Sequence, residues 1–220
     1  MADTAIFDVD GTLVDSNYQH AMAWFRAFAR HDIVRPLWRI HRAIGMGGDV
    51  LVKEVAGEDV EKALGDDLRD LWVKEFDELI GEVQPFEGAH ELLEEVKRRG
   101  FHVVLASSGK AQHVDAFLDL VDGKSLADAW TTSEDAEHSK PEPDLVGTAL
   151  AKVGGSSGVM VGDSTWDVVA ASKLEVPTIT VRTGGFSVDE LRDAGAAQVF
   201  ESLVELRENL DGTALGTPTG

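Results

Sequence analysis

The chain has 220 residues, 43% of them hydrophobic, enough to bury one sizeable core with material left for a small second unit. It contains no cysteine, which excludes a disulfide framework, a thiolate metal site and a cysteine nucleophile. A formal net charge of −20 repels nucleic-acid phosphates and anionic lipid, so neither is an expected partner; an anionic small molecule would need a local cation or a metal ion. A well-solvated acidic surface accounts for this charge, and adaptation to high salt would look the same.

In chain order, Met1-Ala2-Asp3-Thr4 runs directly into the apolar triplet Ala5-Ile6-Phe7, without the charged and apolar regions of a signal peptide. No apolar stretch approaches the ~20 residues that cross a bilayer, so a cytoplasmic location is expected. Residues 16–84 show no strand pattern and several helical ones. Trp24, Phe25 and Phe28 fall at helical spacing in 21–30, as do Leu64, Leu68, Leu71, Trp72, Phe76 and Leu79 in 60–80. They read as helix-packing core rather than a ligand stripe. About 70 residues of helix is too long for one crossover between strands, and predicts an inserted helical domain.

From residue 85 onward, short apolar runs alternate with amphipathic helices. The spacing predicts helices over 88–99, 112–120, 144–153 and 167–173, and strands over 103–106, 158–161 and 178–181, with a weaker late strand at 197–200. The first of these helices ends in Lys97-Arg98-Arg99-Gly100, basic residues at the negative end of the helix dipole before a capping glycine. Residues 211–220, rich in Gly, Thr and Pro, are expected to fray. The alternation predicts an α/β fold: a doubly wound, mostly parallel sheet formed by 1–15 and 85–220, carrying the 16–84 helical insertion.

The strands end in chemically distinctive residues. The first ends in Asp8-Val9-Asp10-Gly11-Thr12, the second in Ser107-Ser108-Gly109-Lys110, and the third in Gly162-Asp163-Ser164, with Asp167 one helical turn on. Lys140 stands in the loop before the 144–153 helix. In open parallel sheets such ends meet in one crevice. Asp8, Asp163 and Asp167 crowded there would repel one another without a cation, and an all-oxygen donor set suits Mg2+ better than zinc. Lys140, the Ser107 and Ser108 hydroxyls and backbone N–H groups suit a phosphoryl group. Asp8 and Asp10, two residues apart where strand gives way to loop, can act as nucleophile and general acid/base.

Residues 8–16 (Asp8-Val9-Asp10-Gly11-Thr12-Leu13-Val14-Asp15-Ser16) resemble the first motif of the haloacid dehalogenase-like hydrolases. Ser107 resembles their second motif, Ser139-Lys140-Pro141-Glu142-Pro143-Asp144 the third and Gly162-Asp163-Ser164-Thr165-Trp166-Asp167 the fourth. The whole chain is similar to the phosphoglycolate phosphatase-like and beta-phosphoglucomutase-like branch with a small helical cap. The resemblance implies that Asp8 attacks phosphorus and becomes an aspartyl phosphate, while Asp10 protonates the leaving oxygen and then activates water. It implies Mg2+ held by Asp8, Asp163 and the Asp10 carbonyl, phosphoryl oxygens held by Lys140 and Ser107, and Asp167 steadying metal-bound water or Lys140. Thr12 is expected to orient Asp10. The acid at position 10 favours phosphoester over haloacid or phosphonate chemistry. The expected partner is a small phosphorylated metabolite, either phosphoglycolate-like or a sugar phosphate, handled by a monomer or homodimer.

Two features of the insertion remain open. Arg35, Arg39 and Arg42 fall at i, i+4 and i+7 ahead of the glycine-rich Gly45-Met46-Gly47-Gly48, and read either as a local anion reader or as a solvated face balancing acids. His20 matches a histidine of beta-phosphoglucomutases, which makes a phosphomutase the alternative; it can equally be a packed helix residue. The cap lysine of those mutases has no convincing counterpart, Lys74 being out of register. A reading of another class is a non-catalytic metal- or phosphate-binding interaction protein, which intact Asp8, Asp10, Lys140 and Asp163 argue against.

Overall fold

The computed structural model describes residues 2–155 and 157–216. The chain opens with β1 (Thr4–Asp8) and a short β2 (Val14–Asp15), then passes through α1 (Asn17–Ala29), α2 (Leu37–His41), α3 (Gly48–Ala56) and α4 (Glu58–Asp77). It returns through β3 (Gln84–Pro85), which pairs antiparallel with β2. That two-residue ladder is the stem from which the four helices project.

After the stem come α5 (Ala89–Arg98), β4 (His102–Ala106), α6 (Ala111–Leu120), α7 (Gly123–Leu126), β5 (Ala129–Thr131) and α8 (Asp144–Val153). The last third holds β6 (Gly158–Gly162), α9 (Thr165–Ser172), β7 (Thr178–Val181), α10 (Val188–Asp193), β8 (Gln198–Phe200) and α11 (Leu203–Glu208). Six strands form one parallel sheet in the order β5-β4-β1-β6-β7-β8. The chain fills one side of β1, then crosses to the other. β1 is therefore the switch point, where a crevice opens at the carboxyl ends.

Alternation along β1 explains the layers. Ala5 and Phe7 join a core with Leu92, Val96 and Phe117, whereas Ile6 points to the opposite core with Leu145, Val146 and Ala170. A strand buried on both faces reads as an uninterrupted apolar run, as seen. Each fully buried side chain of this size contributes about 1.5–3 kcal/mol. The projecting helices have their own core of Trp24, Phe28, Ile40, Leu51, Val52 and Leu68, while Phe76 reaches down into the main core.

Three expectations change. An edge strand, β5, exists where none was expected; three residues are too few for a periodic signal, and its Trp130 is exposed. Phe25 lies at the surface, since successive helical residues point about 100° apart and only Trp24 and Phe28 share the inner stripe. The expected fraying does not apply to 211–216: Leu215 is fully buried, and Arg99 donates to Asp211 at 2.6 Å and to the Gly216 carbonyl at 2.7 Å. Residues 217–220 lie outside the described residues. No helix among the described residues is long and apolar enough to cross a membrane.

Candidate active site

Register puts the chemistry at one level of the sheet. Asp8 closes β1 opposite Ala106 of β4, and Phe7 pairs with Val161 of β6. Ser107 and Asp163 thus begin the loops on either side of Asp8. The turn after β1 requires Gly11: its φ is +76°, and a Cβ there would collide with Asn17 and Asp163.

Lys140 is the centre of the buried charges. Its Nζ donates to Asp8 Oδ1 at 2.5 Å and to Asp167 Oδ1 at 2.7 Å, with the side chain only 1% exposed. Burial alone would lower its pKa, but the Asp167 and Asp8 carboxylates more than offset that, so it stays charged. Asp167 also accepts from the Ser164 N–H at 3.1 Å and hydroxyl at 2.7 Å, closing the capping box of α9. Both of its oxygens are committed, and it fixes where Lys140 points.

Asp8, Asp163 and Asp167 offer oxygens that all lie within 4.8 Å of one another. One lysine cannot neutralise three carboxylates. Burial pushes Asp8 well above its usual pKa, and burial followed by the Asp167 charge pushes Asp163 up to about 7. Asp163 is held by Asn17 Nδ2 at 2.8 Å and by the Thr12 hydroxyl at 3.1 Å. Buried, hard oxygen donors with excess negative charge fit a divalent cation of the Mg2+ type. Lys140→Met should destabilise the metal-free protein by about 3–5 kcal/mol, because it leaves Asp8 and Asp167 side by side with no cation. Urea unfolding in chelator measures this, and a loss below about 1 kcal/mol would mean the pair contributes little.

Asp10 occupies a separate, polar niche. Its Oδ1 accepts from His20 Nε2 at 2.8 Å and from Ser16 at 3.1 Å, and its Oδ2 from the Ser107 hydroxyl at 2.8 Å. Burial works to raise its pKa, yet the bonds from His20, Ser107 and Ser16 outweigh it and hold the carboxyl below its usual range. The His20 ring stacks on Phe76 at 4.0 Å, which fixes its plane. His20 is thus both a packed helix residue and the partner of Asp10.

Two expected contacts differ. Thr12 serves Asp163, and lies 3.4 Å from Asp8, rather than orienting Asp10; the Gly11 turn carries its hydroxyl to the opposite side of the crevice. Ser107 is fully buried and spends its hydroxyl on Asp10 and on the Gly109 N–H at 2.9 Å, so Ser108 is the hydroxyl of that pair lining the open space. Ser16 and Asn17 were not anticipated. Their signal was the polar pair at the start of α1, immediately after the first acidic motif.

Above the carboxylates lies a cavity of about 200 Å³, roofed by α1, α4 and the 43–48 loop. The loop packs close: a Cβ at Gly47 would strike Ser139, and Trp166 Nε1 donates to the Arg42 carbonyl at 3.2 Å. The arginine group does not face this space. Pro36 precedes α2, which begins at Leu37, so Arg35 lies outside the helix and the one-face premise fails. Arg35 donates to the Val55 carbonyl at 3.0 Å, Arg39 is exposed, and Arg42 pairs with Glu190 and lies 3.8 Å above the Phe186 ring. The arginine lining the cavity is Arg69 of α4.

A family model for haloacid dehalogenase-like hydrolases matches residues 5–181. The chain is 24% identical to validoxylamine A 7'-phosphate phosphatase of Streptomyces hygroscopicus subsp. limoneus, over 94% of this chain and 97% of that protein. It is 27% identical to phosphoglycolate phosphatase of Caulobacter vibrioides, over 92% and 88% of the two chains. A crystal structure of a hydrolase from Pseudomonas syringae is similar with a TM-score of 0.90 at 31% identity, covering 96% of this chain and 99% of that one.

Proposed function

Because the chain belongs to the haloacid dehalogenase-like hydrolases, we propose that it is a Mg2+-dependent phosphatase acting on a small phosphate monoester through a phosphorylated Asp8. The observation that carries this reading is Lys140 bridging Asp8 and Asp167 beside Asp163, at the switch point of the sheet. Both relatives named above are phosphatases by name. Asp8 and Asp163 would hold the metal together with the Asp10 carbonyl; bound there, Mg2+ would neutralise phosphoryl charge.

Asp8 attacks phosphorus, forming an acyl phosphate as the P–O bond to the leaving group breaks. Asp10, held ionised by its hydrogen bonds before substrate binds, takes the proton of the bound phosphate monoanion and passes it to the departing oxygen. A water then attacks phosphorus, its proton passes to Asp10, and Asp8 is regenerated with release of inorganic phosphate. His20, Ser16 and Ser107 hold Asp10 in place for both transfers. Lys140 and the loop of Ser108 and Gly109 bind phosphoryl oxygens, and Asp167 keeps Lys140 aimed. The cap roof excludes bulk water, and must move for substrate to enter. The phosphomutase alternative is weaker, because no lysine from the α1–α4 segment lines the cavity among the described residues.

The test is a rapid acid quench of the Mg2+-loaded protein mixed with 32P-labelled benzyl phosphate. Label should appear on the protein, be released by hydroxylamine and vanish in Asp8→Asn. Turnover without any protein-bound label would exclude the covalent route.

A further inference from the structure

We infer that the cavity selects monoesters whose leaving group is uncharged and has an apolar face, and rejects those carrying a second anion. This rests on the phosphatase reading of the same site and names its substrate class. The walls above Asp8 and Asp10 are Trp24, Trp72, Ile44, Met46 and Leu51. Trp24 and Trp72 stack with ring centroids 5.4 Å apart, and Trp72 stacks also on Phe76, which holds the aromatic wall in place. Such surfaces favour the apolar face of a ring, and the one buried donor they hold without a partner among the described residues, the Trp72 indole N–H, can be met by a neutral hydroxyl or ether oxygen of the leaving group.

Charge points the same way. Arg69, the one arginine lining the space among the described residues, is already paired with two acids. Its Nη1 donates to both oxygens of Glu61 at 2.9 and 3.0 Å, and its Nη2 to Asp66 at 2.9 Å. Two carboxylates on one guanidinium leave a net negative unit. Asp49, at the start of α3, also lines the cavity, with no basic partner within salt-bridge distance among the described residues. Lys110 also lines the cavity; it follows directly on the Ser107–Gly109 loop, and we assign it with that loop to the phosphoryl group. A second carboxylate or phosphate on the leaving group would therefore lose its water and meet acids. Phosphoglycolate is the kind of substrate this excludes; an aryl, benzyl or sugar-ring monophosphate is the kind it admits.

The test uses a matched pair that differs by one charge and needs no turnover. The Mg2+-loaded protein is titrated with benzylphosphonate and with 4-carboxybenzylphosphonate, followed by the fluorescence of the pocket tryptophans. The uncharged leaving group should bind at least about tenfold more tightly. In the double variant Glu61→Gln, Asp66→Asn the ratio should narrow severalfold, because Arg69 is released. Equal binding, or tighter binding of the carboxylate, overturns the selectivity. A ratio that the double variant leaves unchanged overturns the role given to Arg69 and its acids. Phosphate release from benzyl phosphate is measured in parallel: its absence, with the phosphonate preference intact, would sink the phosphatase reading and leave the selectivity standing.

Discussion

Asp8→Asn is expected to lower kcat by roughly 10³-fold or more, as removal of a covalent nucleophile does. An amide oxygen cannot form the acyl phosphate, and no other carboxylate is placed to replace it. Asp163 is tied to Thr12 and Asn17, Asp167 to Lys140 and Ser164, and Asp10 to His20, Ser16 and Ser107. The fold should survive, since the amide matches the carboxyl in shape and its oxygen can still accept from Lys140. Metal-free stability should not fall, because the change removes the charge of Asp8, whose ionisation burial opposes, from a crowd of three buried carboxylates. The measurement is steady-state phosphate release with circular dichroism as the folding control. A folded variant keeping a tenth of the parent rate would remove Asp8 from the nucleophile role.

Exhaustive chelation is expected to reduce turnover to background, with Mg2+ restoring it and Ca2+ substituting poorly. Three carboxylates within reach of one another, against a single lysine, leave excess negative charge where a phosphoryl anion must arrive. Without a divalent cation that approach is repelled as well as poorly oriented. Ca2+ prefers more ligands at longer distances, about 2.3–2.6 Å against about 2.0–2.1 Å for Mg2+, which spoils the alignment of Asp8 with phosphorus. Rates after stepwise metal addition to chelated, desalted protein check this. Full activity in excess chelator would show that Lys140 alone neutralises the site.

The α/β class, the parallel sheet and several of the residues that meet at its switch point were legible in the sequence. Asp8, Asp163 and Ser107 each end an apolar run, and strands buried on both faces announce themselves as such runs. Asp167 follows from Asp163 by one helical turn, a local rule that needs no tertiary knowledge. In the insertion, helical spacing placed α4 to within a few residues, and placed α1 with a late start because Ser16 and Asn17 lead straight into it, but α3 was not anticipated.

Partners across the crevice were decided only by the tertiary structure. Thr12 follows Asp10 after a single glycine but bonds Asp163, 151 positions away, and Ser107 bonds Asp10 from the end of a different strand. The cap shows the same limit most clearly. Arg35, Arg39 and Arg42 looked like an anion reader by spacing, yet packing turns Arg42 onto Glu190 and Phe186 and brings Arg69 to the cavity, already bound by two acids. Spacing along a chain determines which residues share a helix face. What that face meets depends on how rigid elements dock, and docking is set by the summed burial of residues far apart in sequence.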